Sequence, residues 1–301
     1  MRAHESILTH ARSRYLWVAL GLSLVSIVLY AWHRPGVAPN GGTWLGYSLG
    51  TVGALLIVWL MLFGVRKRRY AGGRNVLRGW LSAHVYLGTA LILVALLHCG
   101  FQFGWNLHTL ALVLMLAVIF SGFFGVYAYL RYPALMTRNR ENATREAMLE
   151  EIEELDQNAL ALADGIDPKI HAVVLRSIQN TRLGGGVWRQ LRARDDSDAA
   201  LAKVREAIDH RATNAKAASP QAGQTIFAMV DFLSAGAGDR ELEALRKLID
   251  LLSRKKALAT RVARDIQYQA LMEIWLYVHV PLSFALLAAL IGHVVSVFFY
   301  W

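Results

Sequence analysis

Long apolar segments recur along the chain between polar ones, and this pattern predicts helices that cross a membrane. Five apolar segments cover about residues 15–31, 44–64, 81–103, 107–130 and 271–300. A bilayer-spanning helix needs roughly 20 apolar residues, so the last four segments are long enough and the first is borderline. The first follows a basic start, as the apolar part of a signal peptide does, but no clean small-residue cleavage site follows it. We therefore expect five membrane helices, with the first retained as an anchor.

The polar segment between the fourth and fifth spans predicts a soluble helical insert. Its predicted elements are, in order, a helix with the apolar stripe Met148, Ile152, Leu155, Ala159 and Leu162, a break at 164–168, helices at about 169–182 and 198–212, a linker at 213–223 and a last helix from about Asp239. The last helix could continue unbroken into the fifth span. The flanking stripes could then pair as a stalk, or the insert could form a small bundle. The predicted fold is an all-α membrane bundle with helices one to four in 1–131, the insert in 132–269 and helix five in 270–301.

Charge argues against nucleic acid as a partner and predicts the orientation in the membrane. The net charge is +10, but residues 132–269 carry 21 basic and 20 acidic side chains. The excess positive charge therefore flanks the spans, with ten basic residues on one side and only Arg34 on the other. By the positive-inside rule, the N-terminus and the insert are cytoplasmic and the C-terminus is outside. We expect a multi-pass protein of the cell inner (plasma) membrane that contacts membrane lipid.

Two pairs of histidines share one spacing inside the apolar segments. His84 and His98 lie fourteen residues apart in the third span, and His279 and His293 lie fourteen apart in the fifth. Fourteen residues turn a helix by roughly 1400°, about 40° short of four turns, so each pair lies on nearly one face, roughly 21 Å apart along the axis. Both spans run outwards from the cytoplasm, which places His84 level with His279 and His98 level with His293. Ionisable side chains inside a membrane usually mark a functional site.

This arrangement favours haem iron over other metal chemistry. Two ligands per metal, well separated from the next pair, suit a haem with two axial imidazoles, whereas zinc requires four ligands at one point. Within either span no carboxylate lies beside the histidines, which argues against a proton relay. Cys99 is the only cysteine, which excludes an internal disulfide, a four-cysteine iron–sulfur site and a covalent c-type haem. Two b-type haems, with the iron ligand pairs His84/His279 and His98/His293, are therefore the predicted cofactors.

The spacing of the four histidines resembles that in membrane cytochromes b. A pair with thirteen residues between, repeated on two helices, resembles the cytochrome b of quinol–cytochrome c oxidoreductases and the ferric-reductase, NADPH-oxidase and cytochrome b561-like membrane domains. The resemblance covers roughly residues 44–130 and 271–301, and it implies a dihaem bundle with these histidines as axial ligands. The helical insert departs from these families. The chain also shows no flavin- or nicotinamide-binding domain and no Pro-Glu-Trp-type quinol motif.

Side chains near the ends of the histidine helices are candidates for binding haem propionates, which need cations, hydroxyls or aromatic donors. The candidates are Arg74, Arg78 and Trp80 on the inner side and Arg34, Trp105 and His108 on the outer side. The arginines could instead serve only to set the topology. His108 could alternatively accept a proton at an outer quinol site.

Glycine and proline mark two further features of the spans. Gly46, Gly50 and Gly53 form a bare stripe on the second span. Such a stripe lets another helix or a flat cofactor approach closely, and helix packing is the more common use. Pro281, two residues after His279, predicts a kink in the fifth span.

Two axial histidines leave no iron position for a substrate, so the expected chemistry is electron transfer, with catalysis at another site or subunit. We expect the electron-conducting subunit of a respiratory-type oxidoreductase, between a quinone/quinol pool or soluble donor and partner redox subunits. Iron–sulfur, flavin or multihaem c-type proteins are the predicted partners, and the insert is a docking or assembly element. Two alternatives are a stand-alone transmembrane ferric or quinone reductase of the cytochrome b561 type and a non-redox membrane scaffold or signalling protein.

Overall fold

The computed structural model describes residues 13–33, 40–69, 73–141, 143–192, 197–217 and 225–299, with side chains in these ranges except for 65–69, 73–77, 211–217 and 225–239. The described chain is all-α, as its sequence predicted. Its helices are α1 (Arg14–Trp32), α2 (Trp44–Arg69), α3 (Gly73–Cys99), α4 (Leu107–Arg140), α5 (Arg145–Asp164), α6 (Pro168–Asn180), α7 (Val187–Gln190), α8 (Ser197–Ala217) and α9 (Thr225–Phe299).

Five of the described helices are long and apolar enough to cross a membrane: α1, α2, α3, α4 and α9. Large apolar side chains are exposed along them, such as Trp17, Leu55 and Phe284. A soluble protein would bury most of these side chains, so their exposure fits a surface that contacts lipid. The chain therefore has the character of a multi-pass membrane protein.

Contacts divide the chain into two compact units, one of Met1–Ala128 with Trp275–Trp301 and one of Tyr129–Ile274. In the first unit, α2, α3, α4 and the end of α9 share one apolar core, built around Ile57, Leu60, Leu91, Leu112, Met115 and Leu286. α1 packs against α3 and, over a smaller area, against α2. This core brings together α3 and α9, the two helices that carry the histidine pairs.

The second unit is a helical bundle that combines features of the two arrangements predicted for the insert. Its main core joins α5, α6, α8 and α9 through Ala159, Val174, Val204, Leu245 and Leu248. A second cluster pairs α5 with α9 through Met148, Ile152, Ala259, Val262 and Ile266. The flanking stripes therefore do pair, as a stalk would, and α6 and α8 complete a bundle around them.

Three helix ends differ from the predicted ones. α4 continues past the predicted boundary at residue 131, because its polar end packs against α9: the rings of Tyr132 and Tyr268 stack, with centroids 5.2 Å apart. α8 extends to Ala217, so the first part of the predicted linker is helical and residues 218–224 lie outside the described ones. α9 begins at Thr225, before the predicted start at Asp239, because the intervening residues are mostly apolar or alanine and each glycine costs a helix only about 1 kcal/mol. α9 is continuous through Pro281.

A buried carboxylate joins three helices of the second unit. The Asp265 side chain is fully buried and accepts hydrogen bonds from Arg140 at 2.7 and 2.8 Å. Arg145 donates to the same carboxylate, and also to Gln269 at 2.8 Å. Burial opposes ionisation of Asp265, but the hydrogen bonds from the two arginines lower its pKa below the ordinary value. The cluster fixes the end of α4 and the start of α5 on α9.

Candidate functional site

His98 and His293 lie next to each other in the first unit, with ring centroids 5.9 Å apart and ring planes at 88°. The Nδ1 atom of His98 lies 2.7 Å from the carbonyl oxygen of Gly46. A carbonyl only accepts hydrogen bonds, so Nδ1 carries the proton and donates it, which leaves the Nε2 lone pair free. Histidines that bind metals usually have this arrangement, in which a backbone carbonyl fixes the ring and its tautomer.

Gly50 of α2 and Gly41 in the turn before it make room for the His98 ring. A Cβ atom on Gly50 would lie 2.7 Å from Cε1 and 2.9 Å from Nδ1 of His98. A Cβ atom on Gly41 would lie 3.2 Å from the same Cε1. Gly53, by contrast, faces Leu91 and Val94 of α3 at ordinary contact distance. The glycine stripe thus serves close helix packing, and at Gly50 it admits an imidazole against the backbone.

Gly50→Ala is expected to push the His98 ring away from α2 and to break its hydrogen bond to Gly46. Overpacking of this kind costs about 1–3 kcal/mol, so the melting temperature of the purified protein in detergent should fall. Gly53→Ala is the matched control on the same helix, because its added methyl group would meet the Leu91 side chain at 3.6 Å. If the two variants melted at the same temperature, the close contact between Gly50 and His98 would not exist.

His293 has a second neighbour, His108. The sequence did not predict this contact. The Nδ1 atoms of the two rings are hydrogen-bonded, and the ring centroids lie 4.6 Å apart with the planes at 89°. A hydrogen bond between two Nδ1 atoms needs a proton on one of them and a lone pair on the other. When His293 donates, its Nε2 lone pair is free, as in His98. His108 was predicted to bind a propionate or to serve a quinol site, whereas in the structure its polar contact is with His293.

His279 is held by Ser121 of α4. The Ser121 hydroxyl donates to the carbonyl of Val118 at 2.8 Å, and its oxygen lies 2.7 Å from Nδ1 of His279. A hydroxyl has one proton. With that proton directed to Val118, Nδ1 of His279 must be the donor to the Ser121 oxygen, and its Nε2 lone pair is again free.

Trp275 completes the contacts around His279. Its ring lies 5.2 Å from the His279 ring, between centroids, and its Nε1–H donates to the backbone carbonyl of Ser121 at 2.7 Å. A Cβ atom on Gly125 would lie 2.1 Å from Cζ2 of Trp275, so α4 can accept the indole only where it lacks a side chain. Trp275 lies one turn before His279 on α9 and fixes that turn against α4.

His84 is buried beside the Phe63 ring, with centroids 5.3 Å apart, and close to the backbone of Leu60 and to His279. Its Nδ1 atom is buried and makes no hydrogen bond within the described part of the chain. An unpaired buried polar atom costs about 1–3 kcal/mol, and an orphan of this kind often marks a site for a bound ion or water. The structure thus places the rings of His98 and His293 side by side and brings His84 within electrostatic range of His279.

The other predicted site residues are more widely scattered. Arg34 and the Arg74 side chain lie outside the described residues, and Arg78 is half-buried. Trp80 stacks on Trp59, with ring centroids 4.7 Å apart. The Trp105 side chain is fully exposed at the turn between α3 and α4, where nothing orients it.

The spacing of the His98 and His293 rings is compatible with one metal ion between two imidazoles. Metal–nitrogen bonds of about 2 Å on opposite sides of an ion place the two ring centres roughly 6 Å apart, and those of His98 and His293 are 5.9 Å apart. Among the described residues no group of three or more histidine, cysteine or acidic side chains could hold a metal ion.

Comparisons of the chain with protein-family models, with curated proteins and with solved structures found no match. The resemblance to membrane cytochromes b therefore rests on the histidine pattern of the sequence alone.

Proposed function

We propose that the chain is a dihaem cytochrome b that conducts electrons across a membrane. His84 with His279 and His98 with His293 would be the axial ligands of two b-type haems. The observation that carries this proposal is the paired geometry of His98 and His293, in which the hydrogen bond of His98 to Gly46 leaves its Nε2 lone pair available. The matching spacing of the second couple extends the same reasoning to His84 and His279.

A bound haem would supply reversible one-electron chemistry. The residues of the chain have separate tasks around it. The Gly46 carbonyl and the Ser121 hydroxyl orient His98 and His279 and increase the basicity of their Nε2 atoms. Two histidines per iron leave no iron position for a substrate, so the chain transfers electrons and does not transform a substrate at the metal.

The charge bias supports a cytoplasmic N-terminus and an outer C-terminus in the inner (plasma) membrane. Under this orientation His84 and His279 form the inner couple, and His98 and His293 the outer one. Electrons would pass between a quinone/quinol pool or a soluble donor and a partner subunit with an iron–sulfur, flavin or multihaem c-type centre.

The direct test is a visible spectrum of protein purified from haem-replete cells. We expect b-type bands in the reduced-minus-oxidised spectrum and about two haems per chain in a pyridine haemochrome assay. Protein from cells grown without haem synthesis is the control, and haem added to it should restore the bands. A folded, colourless protein that takes up no added haem would contradict the proposal.

A further inference from the structure

Positive charge is segregated within the soluble unit. Residues 168–194 contain six basic and no acidic side chains, whereas the remainder of 132–269 contains 15 basic and 20 acidic ones. We call residues 182–192 the arginine–tryptophan loop. It joins α6 to α8, contains the short helix α7 and carries Arg182, Arg189 and Arg192. The near-neutral charge of the whole insert conceals this local excess.

The charged and aromatic side chains of the arginine–tryptophan loop point to solvent. Arg182, Arg189 and Arg192 are exposed, and the Trp188 side chain is 71% exposed. None of the three arginines forms an ion pair with another described residue. An exposed tryptophan among free arginines is unusual for a solvated loop, because an indole is normally buried or at an interface.

Packing at the start of the loop fixes Leu183 against the part of α9 that precedes the apolar run of this helix. Leu183 packs against the cluster that contains Ala259, Val262 and Ile266. The apolar run of α9 begins at about residue 271, which is roughly 8–18 Å further along the helix axis than these residues. Long side chains of the loop can bridge much of that distance to the headgroup layer.

We propose that the arginine–tryptophan loop binds anionic phospholipid headgroups at the membrane surface. Guanidinium groups form paired hydrogen bonds with phosphate oxygens, and basic residues near an anionic leaflet are attracted to it. Tryptophan prefers the same layer, because its ring is apolar and its N–H needs a polar partner. The loop would tie the soluble unit to the lipid surface, independently of whether the histidines bind haem.

The test uses the full chain in lipid nanodiscs, with a nitroxide at position 184 in a Cys99→Ser, Gly184→Cys background. A side chain at Gly184 meets no other atom within 4 Å, so the label leaves Trp188 and the arginines in place. In discs with phosphatidylglycerol, accessibility of the label to a water-soluble nickel chelate should fall about threefold or more relative to phosphatidylcholine discs, as expected for surface attraction of three basic residues. A label at Lys203→Cys on α8 should be equally accessible in both lipids.

Substitution of Arg182, Arg189 and Arg192 by glutamine should abolish the lipid dependence at position 184. A matched variant with Arg205→Gln, Arg246→Gln and Lys247→Gln, which removes the same charge from exposed positions of the same unit, should retain it. Equal accessibility in both lipids for the unsubstituted loop would overturn the proposal. The same holds if both triple variants lose the effect equally, because net charge alone would then explain it.

Discussion

His98→Ala is expected to remove one of two haems and to leave the other in place. His98 is the best-fixed candidate ligand, since its Nδ1 donates to the Gly46 carbonyl and its ring lies 5.9 Å from that of His293. An alanine at 98 takes away one axial nitrogen and the ring that Gly50 accommodates. His84 and His279 lie about four helical turns further along α3 and α9, so a haem that they bind should stay in place. The pyridine haemochrome assay should therefore fall from about two haems per chain to about one.

Double variants test which histidines share a cofactor. If His98 and His293 bind the same haem, His98→Ala with His293→Ala should still retain one haem per chain. His98→Ala with His84→Ala removes one ligand from each couple and should leave none. His171→Ala is the control, because this half-exposed histidine belongs to the second unit and pairs there with Asp164. Full haem content after each single substitution of His84, His98, His279 and His293 by alanine would show that the ligand assignment is wrong.

The histidine couples could be predicted because helix geometry is fixed by the backbone. The rise and turn per residue convert a spacing of fourteen into a shared face, and the order of the spans indicates which histidines are level. The neighbouring rings of His98 and His293 agree with that reasoning, while the presence of haem remains a prediction.

The other contacts of the histidines could not be predicted from the sequence. Every residue has a carbonyl group, so nothing singled out that of Gly46 as the partner of His98. Ser121 was visible only as a small residue of α4, and its hydrogen bond to His279 depends on how α4 and α9 pack. The contact between His108 and His293 has the same cause, because His108 lies at the start of a helix and could face several neighbours.

The end of a membrane span is also not the end of a helix. Polarity marks where α4 and α9 leave the apolar segments, but polar residues continue a helix when they find partners. Asn139 donates to the backbone of Arg261 at 2.6 Å, and Arg140 binds Asp265. The hydrophobic pattern therefore located the spans well and placed the helix ends badly.

Asp265→Asn is expected to lower the free energy of unfolding of the second unit by about 2–4 kcal/mol. The substitution keeps the shape of the side chain but leaves Arg140 and Arg145 without the carboxylate that both of them bind. Removing one partner of a buried ion pair typically costs about 3–5 kcal/mol. We expect a smaller loss of stability here, because the side chains of Arg140 and Arg145 are 32% and 24% exposed and water can solvate them in part. Denaturant unfolding followed by circular dichroism measures the change.

The pH dependence of the free energy of unfolding shows whether the charge of Asp265 is responsible for the stabilisation. Since the pKa of Asp265 lies below its ordinary value, the native carboxylate stabilises fully above the unfolded pKa of about 3.9, and this contribution is lost as the pH falls through the lowered native pKa. The difference between native protein and Asp265→Asn should therefore be constant near neutral pH and shrink only in acid. Asp250→Asn is the control, because its pair with Arg254 is exposed and is worth about 0.5 kcal/mol or less. Equal effects of the two substitutions would mean that Asp265 does not hold α4, α5 and α9 together.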